Sequence, residues 1–224
     1  AGVIKLSNAG THAKALVAFD NATISAPDGR ALFSTGKIWI NRGDRVVILG
    51  GNGTGKSRMV TRVAEAMGGT DPDIRPAATA ILGHADQSLS HLDTFTSPMQ
   101  AITHSYDVGD QRARGLLAGA GMDIALQEAR ISALSGGQRA RLAMLWLRLA
   151  TPNFYLLDEP TNHLDIDGQE MLEEELTEQG ASCLLVSHDR TFVRNVGTRF
   201  WEIRGKKLVE VDDPEPFFAA ALAE

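Results

Sequence analysis

Residues 45–57 read Arg-Val-Val-Ile-Leu-Gly-Gly-Asn-Gly-Thr-Gly-Lys-Ser. The continuous apolar run Val46 to Leu49 is what a strand covered on both faces of a sheet requires. Gly50-Gly51-Asn52-Gly53-Thr54-Gly55-Lys56-Ser57 follows directly, fits the pattern G-x-x-x-x-G-K-[ST], and passes into a helix-like segment, 58–67. Strand, glycine loop and helix in that order form an anion cradle. Glycines let backbone amides turn inward, and the helix N-terminus adds positive potential. Lys56 is positioned to reach the β- and γ-phosphates as a point charge, and the Ser57 hydroxyl to ligate Mg²⁺. The stretch predicts nucleoside-triphosphate binding.

Outward from the cradle, apolar strand signals recur at 153–157 and 182–186, alternating with helix-period segments at 135–149, 170–179 and 191–196. Upstream, 15–19, 22–25 and 32–40 carry strand signals separated by turn residues, and 201–203 with 208–211 reads as a hairpin around Gly205. Between about 97 and 150 strand signals vanish and Ala, Leu, Arg and Gln dominate, which predicts a small helical subdomain. Residues 1–14 have no sustained period and read as a linker tail, leaving 15–224 as the domain proper.

Asp158-Glu159 ends the second apolar strand, at the sheet edge where open α/β sheets bind ligands. There Asp158 can hold Mg²⁺ through its water shell, and Glu159 can orient or deprotonate an attacking water. Leu134-Ser135-Gly136-Gly137-Gln138 precedes a helix, with Ser135 a plausible N-cap and two glycines exposing amides at the positive end of the dipole. His188 follows the third apolar strand, and Gln87 follows Ile81-Leu82. Each of these three would be unremarkable alone.

Taken in order, these pieces resemble the nucleotide-binding domain of the ABC ATPase superfamily over nearly the whole chain. Gly50–Ser57 matches the Walker A loop, Gln87 the Q-loop, and Leu134–Gln138 the LSGGQ signature. Phe154–Glu159 matches Walker B with its glutamate, Asp165 the D-loop, and His188 the switch histidine. The resemblance implies an α/β P-loop NTPase of ABC type, with a mixed parallel sheet core, an antiparallel β subdomain and a small helical subdomain. It also implies a cytoplasmic ATPase using ATP and Mg²⁺, with Glu159, His188 and Lys56 catalytic. The loop from Gly50 to Ser57, together with Arg58 and Gln87, would contact nucleotide, and Ser57, Gln87 and Asp158 would serve the metal. Two such domains would sandwich two ATP molecules, with Ser135, Gly136, Gly137, Gln138 and Asp165 serving the partner's site. An isolated copy would hydrolyse weakly.

Glu159-Pro-Thr-Asn-His-Leu-Asp165 and Ser187-His-Asp-Arg190 look like the EPTNHLD and SHDR stretches of the ABC-F subfamily. That likeness implies a half of a longer, two-domain chain that acts on the ribosome. Arginines 112, 114, 139, 141, 190, 194, 199 and 204 are candidates for a basic RNA-facing patch, or simply scattered surface charges. The alternative is the ATPase subunit of a transporter, reaching a membrane only through a partner subunit. Two positions depart from the family. Ala26 falls where an aromatic ring normally stacks on adenine, so ATP/GTP choice is expected to be relaxed. Arg58 replaces a small hydroxyl residue.

Composition fits this reading. The 224 residues carry 22 Lys+Arg against 28 Asp+Glu, a formal charge of −6, which argues against a generally basic nucleic-acid binder. The single cysteine, Cys183, excludes an internal disulfide. No apolar run approaches the roughly 20 residues of a membrane span, and no signal-peptide pattern opens the chain.

Overall fold

A computed structural model describes residues 15–85, 90–162, 164–178 and 180–221. Strands β1 (Ala15–Asp20), β2 (Thr23–Ser25), β3 (Ala31–Ser34), β4 (Lys37–Asn41) and β5 (Arg45–Leu49) lead into helix α1 (Lys56–Gly68). Two short strands, β6 (Ile74–Pro76) and β7 (Leu82–Ala85), precede four helices: α2 (Pro98–Ser105), α3 (Asp110–Gly119), α4 (Ile124–Glu128) and α5 (Gly136–Leu149). The chain then runs through β8 (Phe154–Asp158), α6 (Ile166–Glu178), β9 (Ser182–Val186), α7 (Arg190–Val196), β10 (Arg199–Arg204), β11 (Lys207–Val211) and α8 (Glu215–Ala221).

The strands form an eight-stranded mixed sheet in the order β2-β3-β11-β10-β5-β9-β8-β7, and a three-stranded antiparallel sheet in the order β4-β1-β6. In the large sheet β10, β5, β9, β8 and β7 run parallel. Alternation along a strand decides which side each residue serves. Val46 and Ile48 of β5, Phe154 and Leu156 of β8, and Leu184 and Val186 of β9 pack into one apolar core. That core also takes Met59, Val60, Val63 and Ala66 of α1, and Leu16, Val17, Phe19, Ile40 and Ile74 of the antiparallel sheet. Val47, Leu49, Tyr155, Leu157, Cys183 and Leu185 face the other way, against Leu172 and Leu176 of α6, Phe192, Val193 and Val196 of α7, and Phe218 of α8. Burial on both faces explains why these strands are uninterrupted apolar runs. A third core, including Leu92, Ile102, Ala113, Leu117, Met122, Ile131 and Leu142, belongs to the helical stretch. Trp146 touches both this core and the α6–α7 side.

The single strand expected over 32–40 is two strands. Thr35 and Gly36 separate them, Gly36 at φ +68, a left-handed backbone that a residue with a Cβ adopts only under strain. Residues 1–14, Gln87 and His163 lie outside the described residues. Among the described residues no helix is long and apolar enough to cross a membrane.

Candidate functional site: a phosphate cradle at three strand ends

Adjacent parallel strands β5, β9 and β8 all end at the same edge, and each hands over to a site residue there. From β5 comes the glycine loop, with Gly53 at φ +74 and Gly55 at φ +108. Gly55 has no room for a Cβ: one would lie 2.8 Å from Leu32 Cδ1 and 3.1 Å from Phe33 Cε1, so β3 roofs the loop at this glycine. Thr54 Oγ1 donates to the Gly51 carbonyl at 2.9 Å and folds the loop on itself. Lys56, only 8% exposed, curls back over the loop, and its Nζ donates to the carbonyls of Gly50 (2.6 Å) and Gly51 (2.9 Å). Burial lowers the lysine pKa, while the carboxylates of Glu159 and Asp158 oppose that shift. Ser57 and Arg58 are exposed on the first turn of α1.

From β8 come Asp158 and Glu159, each 8% exposed. Pairing of Asp158 with Val186, in register with the rest of β8 and β9, fixes the depth of both strand ends. Glu159 departs from the strand at φ +52 and donates its backbone N–H to the Val186 carbonyl at 2.8 Å. A non-glycine residue in that region is a local cost that functional sites often carry. One Glu159 oxygen accepts from the His188 backbone N–H (3.2 Å), and the other lies 3.3 Å from His188 Nε2. Burial raises the Glu159 pKa above the ordinary carboxylate value. The imidazole and backbone N–H of His188 pull it down, Asp158 adds to the rise, and Lys56 counters it.

The cleft enclosed here is about 330 Å³ and is lined by Asn52, Gly53, Gly55, Lys56, Ser57 and Arg58 on the cradle side. Asp158, Glu159, Val186 and His188 line one end, and Ala26, Pro27, Arg30 and Leu32 another. The fit to a metal-bound triphosphate can be tested on one atom. Asp158 Oδ1 is buried and finds no protein hydrogen-bond partner, the state of an acceptor awaiting a cation or its water. Together, a cationic cradle, an orphaned carboxylate oxygen and a buried, more basic glutamate are suited to binding a polyphosphate and activating water beside it.

Gly50, Gly51 and Thr54 build the loop but do not line the cleft, and neither do Ser135, Gly136, Gly137, Gln138 or Asp165. Ser135 and Gln138 cap α5 instead, and Gly136 and Gly137 begin its first turn. The Ser135 hydroxyl accepts from Gln138 N–H, and the Gln138 side chain accepts from Ser135 N–H, a closed capping box. Asp165 sits 3.6 Å from Arg141 of α5 and accepts the Gly168 N–H at 3.0 Å. Arg141 thus links Asp165 to the helix that Ser135 caps, and residues 135–138 and Asp165 are absent from the lining of their own chain's cleft.

Pro27, Arg30 and Leu32 were not foreseen as cleft residues. Their only sequence signal was the turn at Pro27-Asp28-Gly29. Of the two readings left open for the arginines, a basic patch or scattered surface charges, the ion pairs favour the second. Arg114, Arg139, Arg141, Arg190, Arg194, Arg199 and Arg204 each pair with a carboxylate, on Glu128, Asp93, Asp165, Glu215 (shared by Arg190 and Arg194), Asp44 with Glu210, and Glu202. Local pairing weakens the potential such a patch would need.

A phosphate cradle on a parallel sheet, with carboxylates at the neighbouring strand end, defines a P-loop nucleotide-binding fold. The family model described as ABC transporter matches residues 35–162, and the chain belongs to that family as an ABC ATPase domain. It is 31% identical over 84% of its length to the ATP-binding protein YdiF of Bacillus subtilis, covering 29% of that protein. With the ABC transporter F family member 5 of Arabidopsis thaliana it shares 30% identity over 89% of its length, again covering 29% of the relative. The chain therefore spans about three tenths of the length of these curated relatives, the second of which is named as an F family member. Among solved structures, the dimeric MJ0796, a bacterial ABC transporter cassette, superposes with a TM-score of 0.69 at 20% identity, covering 88% of this chain and 98% of that one.

Proposed function

We infer that this domain binds ATP with Mg²⁺ in the cleft between α1 and the ends of β8 and β9, and hydrolyses it when closed against a second ABC ATPase domain. The observation that carries this reading is the buried, unpartnered Asp158 Oδ1 beside Glu159 and His188, at the open end of a lysine-bearing glycine cradle. Lys56 leaves the Gly50 and Gly51 carbonyls to bind the terminal phosphates. Ser57 and Asp158 would hold Mg²⁺, with Gln87 assigned to it by family resemblance; the ion would supply charge neutralisation on the phosphates. Glu159, made more basic by burial, takes the proton of the attacking water, and His188 holds the carboxylate in place. The capped Ser135–Gln138 turn and Asp165, apart from their own cleft, serve the cleft of the partner domain.

The partner domain would lie in the same chain or in a second copy. Kinship with ABC-F proteins, and the Glu159–Asp165 stretch, support action on the ribosome. The experiment is sedimentation of Glu159→Gln with MgATP, alone and with ribosomes. ATP-dependent dimerisation supports the closed pair, and ATP-dependent co-sedimentation supports the ribosomal partner. A monomer at saturating ATP would overturn homotypic closure, and a bound nucleotide without ribosome association would return the transporter reading to first place.

A further inference from the structure

The end of the cleft farthest from Glu159 and His188 must take the nucleoside, because the reacting phosphate lies beside those two residues. Among the described residues that line the cleft none is Phe, Tyr or Trp, and the one aromatic ring present, the His188 imidazole, lies beside Glu159. The two rings nearest in sequence are committed elsewhere. Phe19 is 3% exposed and meets Trp201 edge-on at 5.8 Å, and Phe33 is 2% exposed in the same core. Ala26 and Pro27 form the wall in place of a ring.

Arg58 is the large polar group at this wall. It projects from the first turn of α1, and its Nε donates to the Ser25 carbonyl at 3.2 Å. That bond anchors the guanidinium against the residue preceding Ala26. It uses one of five N–H donors and leaves the four on the terminal nitrogens for a ligand. Arg30, the other cation nearby, is exposed, and its backbone and side chain turn toward Asp28.

We propose that Arg58 is the base-side specificity residue of this site, replacing ring stacking by guanidinium recognition, so that a 6-oxo purine triphosphate is accepted at least as well as ATP. The proposal rests on the triphosphate reading of the cleft and specifies its base. A guanidinium only donates. Guanine presents two acceptors, O6 and N7, to such a fork, whereas adenine presents one acceptor and one donor. The planar cation can also lie on a purine face, which both bases allow. Discrimination therefore favours guanine, and the loss of the ring removes what would favour adenine.

The test is equilibrium titration of the wild type, Arg58→Ala, Arg58→Lys and Ala26→Tyr with MgATP, MgGTP and inorganic tripolyphosphate. Melting curves would confirm that each variant is folded. Wild-type affinities for GTP and ATP should lie within about tenfold, with GTP equal or tighter. Arg58→Ala should weaken GTP at least about fivefold more than ATP and leave tripolyphosphate unchanged. Arg58→Lys should behave like Arg58→Ala, since an ammonium has no fork. Ala26→Tyr should shift preference toward ATP, and it tests the base position even if the Arg58 variants fail to fold. An ATP preference of about tenfold or more in the wild type overturns the proposal. So does an equal loss for all three ligands in Arg58→Ala, which would assign the residue to phosphate. Triphosphate binding that is indifferent to Arg58 overturns this inference alone. A folded wild type that binds none of the three ligands overturns the reading of the cleft itself.

Discussion

Glu159 and His188 are joined twice: the imidazole Nε2 lies 3.3 Å from one carboxylate oxygen, and the histidine's backbone N–H donates to the other at 3.2 Å. One bond depends on the side chain and one does not. Replacing the imidazole removes a contact yet leaves the carboxylate tethered, so His188 variants alter the orientation and basicity of Glu159 more than its location.

Glu159→Gln is expected to abolish measurable ATP turnover while retaining ATP binding. A folded-state pKa above the ordinary carboxylate value means that the folded protein disfavours the ionised form. The associated stability is present below the ordinary value and is lost as pH rises through the raised one. At neutral pH the amide variant should therefore melt no lower than wild type. In the wild type, hydrolysis should fall at a pH above the usual glutamate range as pH is lowered. A pH–rate profile and paired melting curves check both statements, and wild-type turnover by the variant would remove the base assignment.

Lys56→Met should weaken MgATP at least about tenfold, the scale of losing a charge-assisted contact to phosphate. Its pKa is lowered by burial, so the apo protein bears the lysine's charge at a cost that methionine relieves. Calorimetric titration together with thermal melting should show lost binding without lost stability.

Cys183 is completely buried in the middle of β9, and burial pushes its thiol up to about 12. A disulfide reagent at pH 8 should leave the native protein unmodified for as long as it stays folded, and should label one thiol per chain in denaturant. Rapid labelling of the native state would mean that the central sheet opens locally.

At Gly197, between α7 and β10, an added Cβ would lie 2.7 Å from Phe200, 2.8 Å from the Val193 carbonyl and 2.9 Å from Val47. Backbone and core cannot yield cheaply, so Gly197→Ala should cost about 1–3 kcal/mol. Urea unfolding should show a lower midpoint at an unchanged slope.

Much of this was readable in advance because it is local. The strand at 45–49 and the one at 182–186 are found with the bounds their apolar runs suggest, and the Ser135 cap follows from its spacing to Gln138. Asp158-Glu159 stood out because acids at the end of a buried run, although common as turn caps, occur here in a chain that also carries a phosphate cradle. The base end of the cleft was not readable. Ala26, Pro27, Arg30 and Arg58 meet only because β2 and β3 fold over α1, a tertiary relationship that no periodicity encodes. The helix Glu215–Ala221 was missed for a similar reason: seven residues whose burial rests mainly on Phe218 carry too little pattern. Sequence left the arginines open between a patch and scattered charges because their partner carboxylates lie far off along the chain, such as Glu215 for Arg190 and Asp44 for Arg199.

The matched pairing of β8 with β9, five positions from Phe154–Ser182 to Asp158–Val186, has a dynamic corollary. Glu159 and His188 leave neighbouring strands just beyond the last paired rung, so their spacing is held by the backbone pairing of β8 with β9, flanked by β7 on one side and β5 on the other. Paired on both sides, those amides are expected to be among the slowest in the domain to exchange with solvent. Helix α5 divides its buried face, with Leu142, Ala143 and Leu145 in the helical core and Leu147 in the core behind β8, so a shift of its N-terminal turn is expected to disturb the helical core before it reaches the hydrolytic pair.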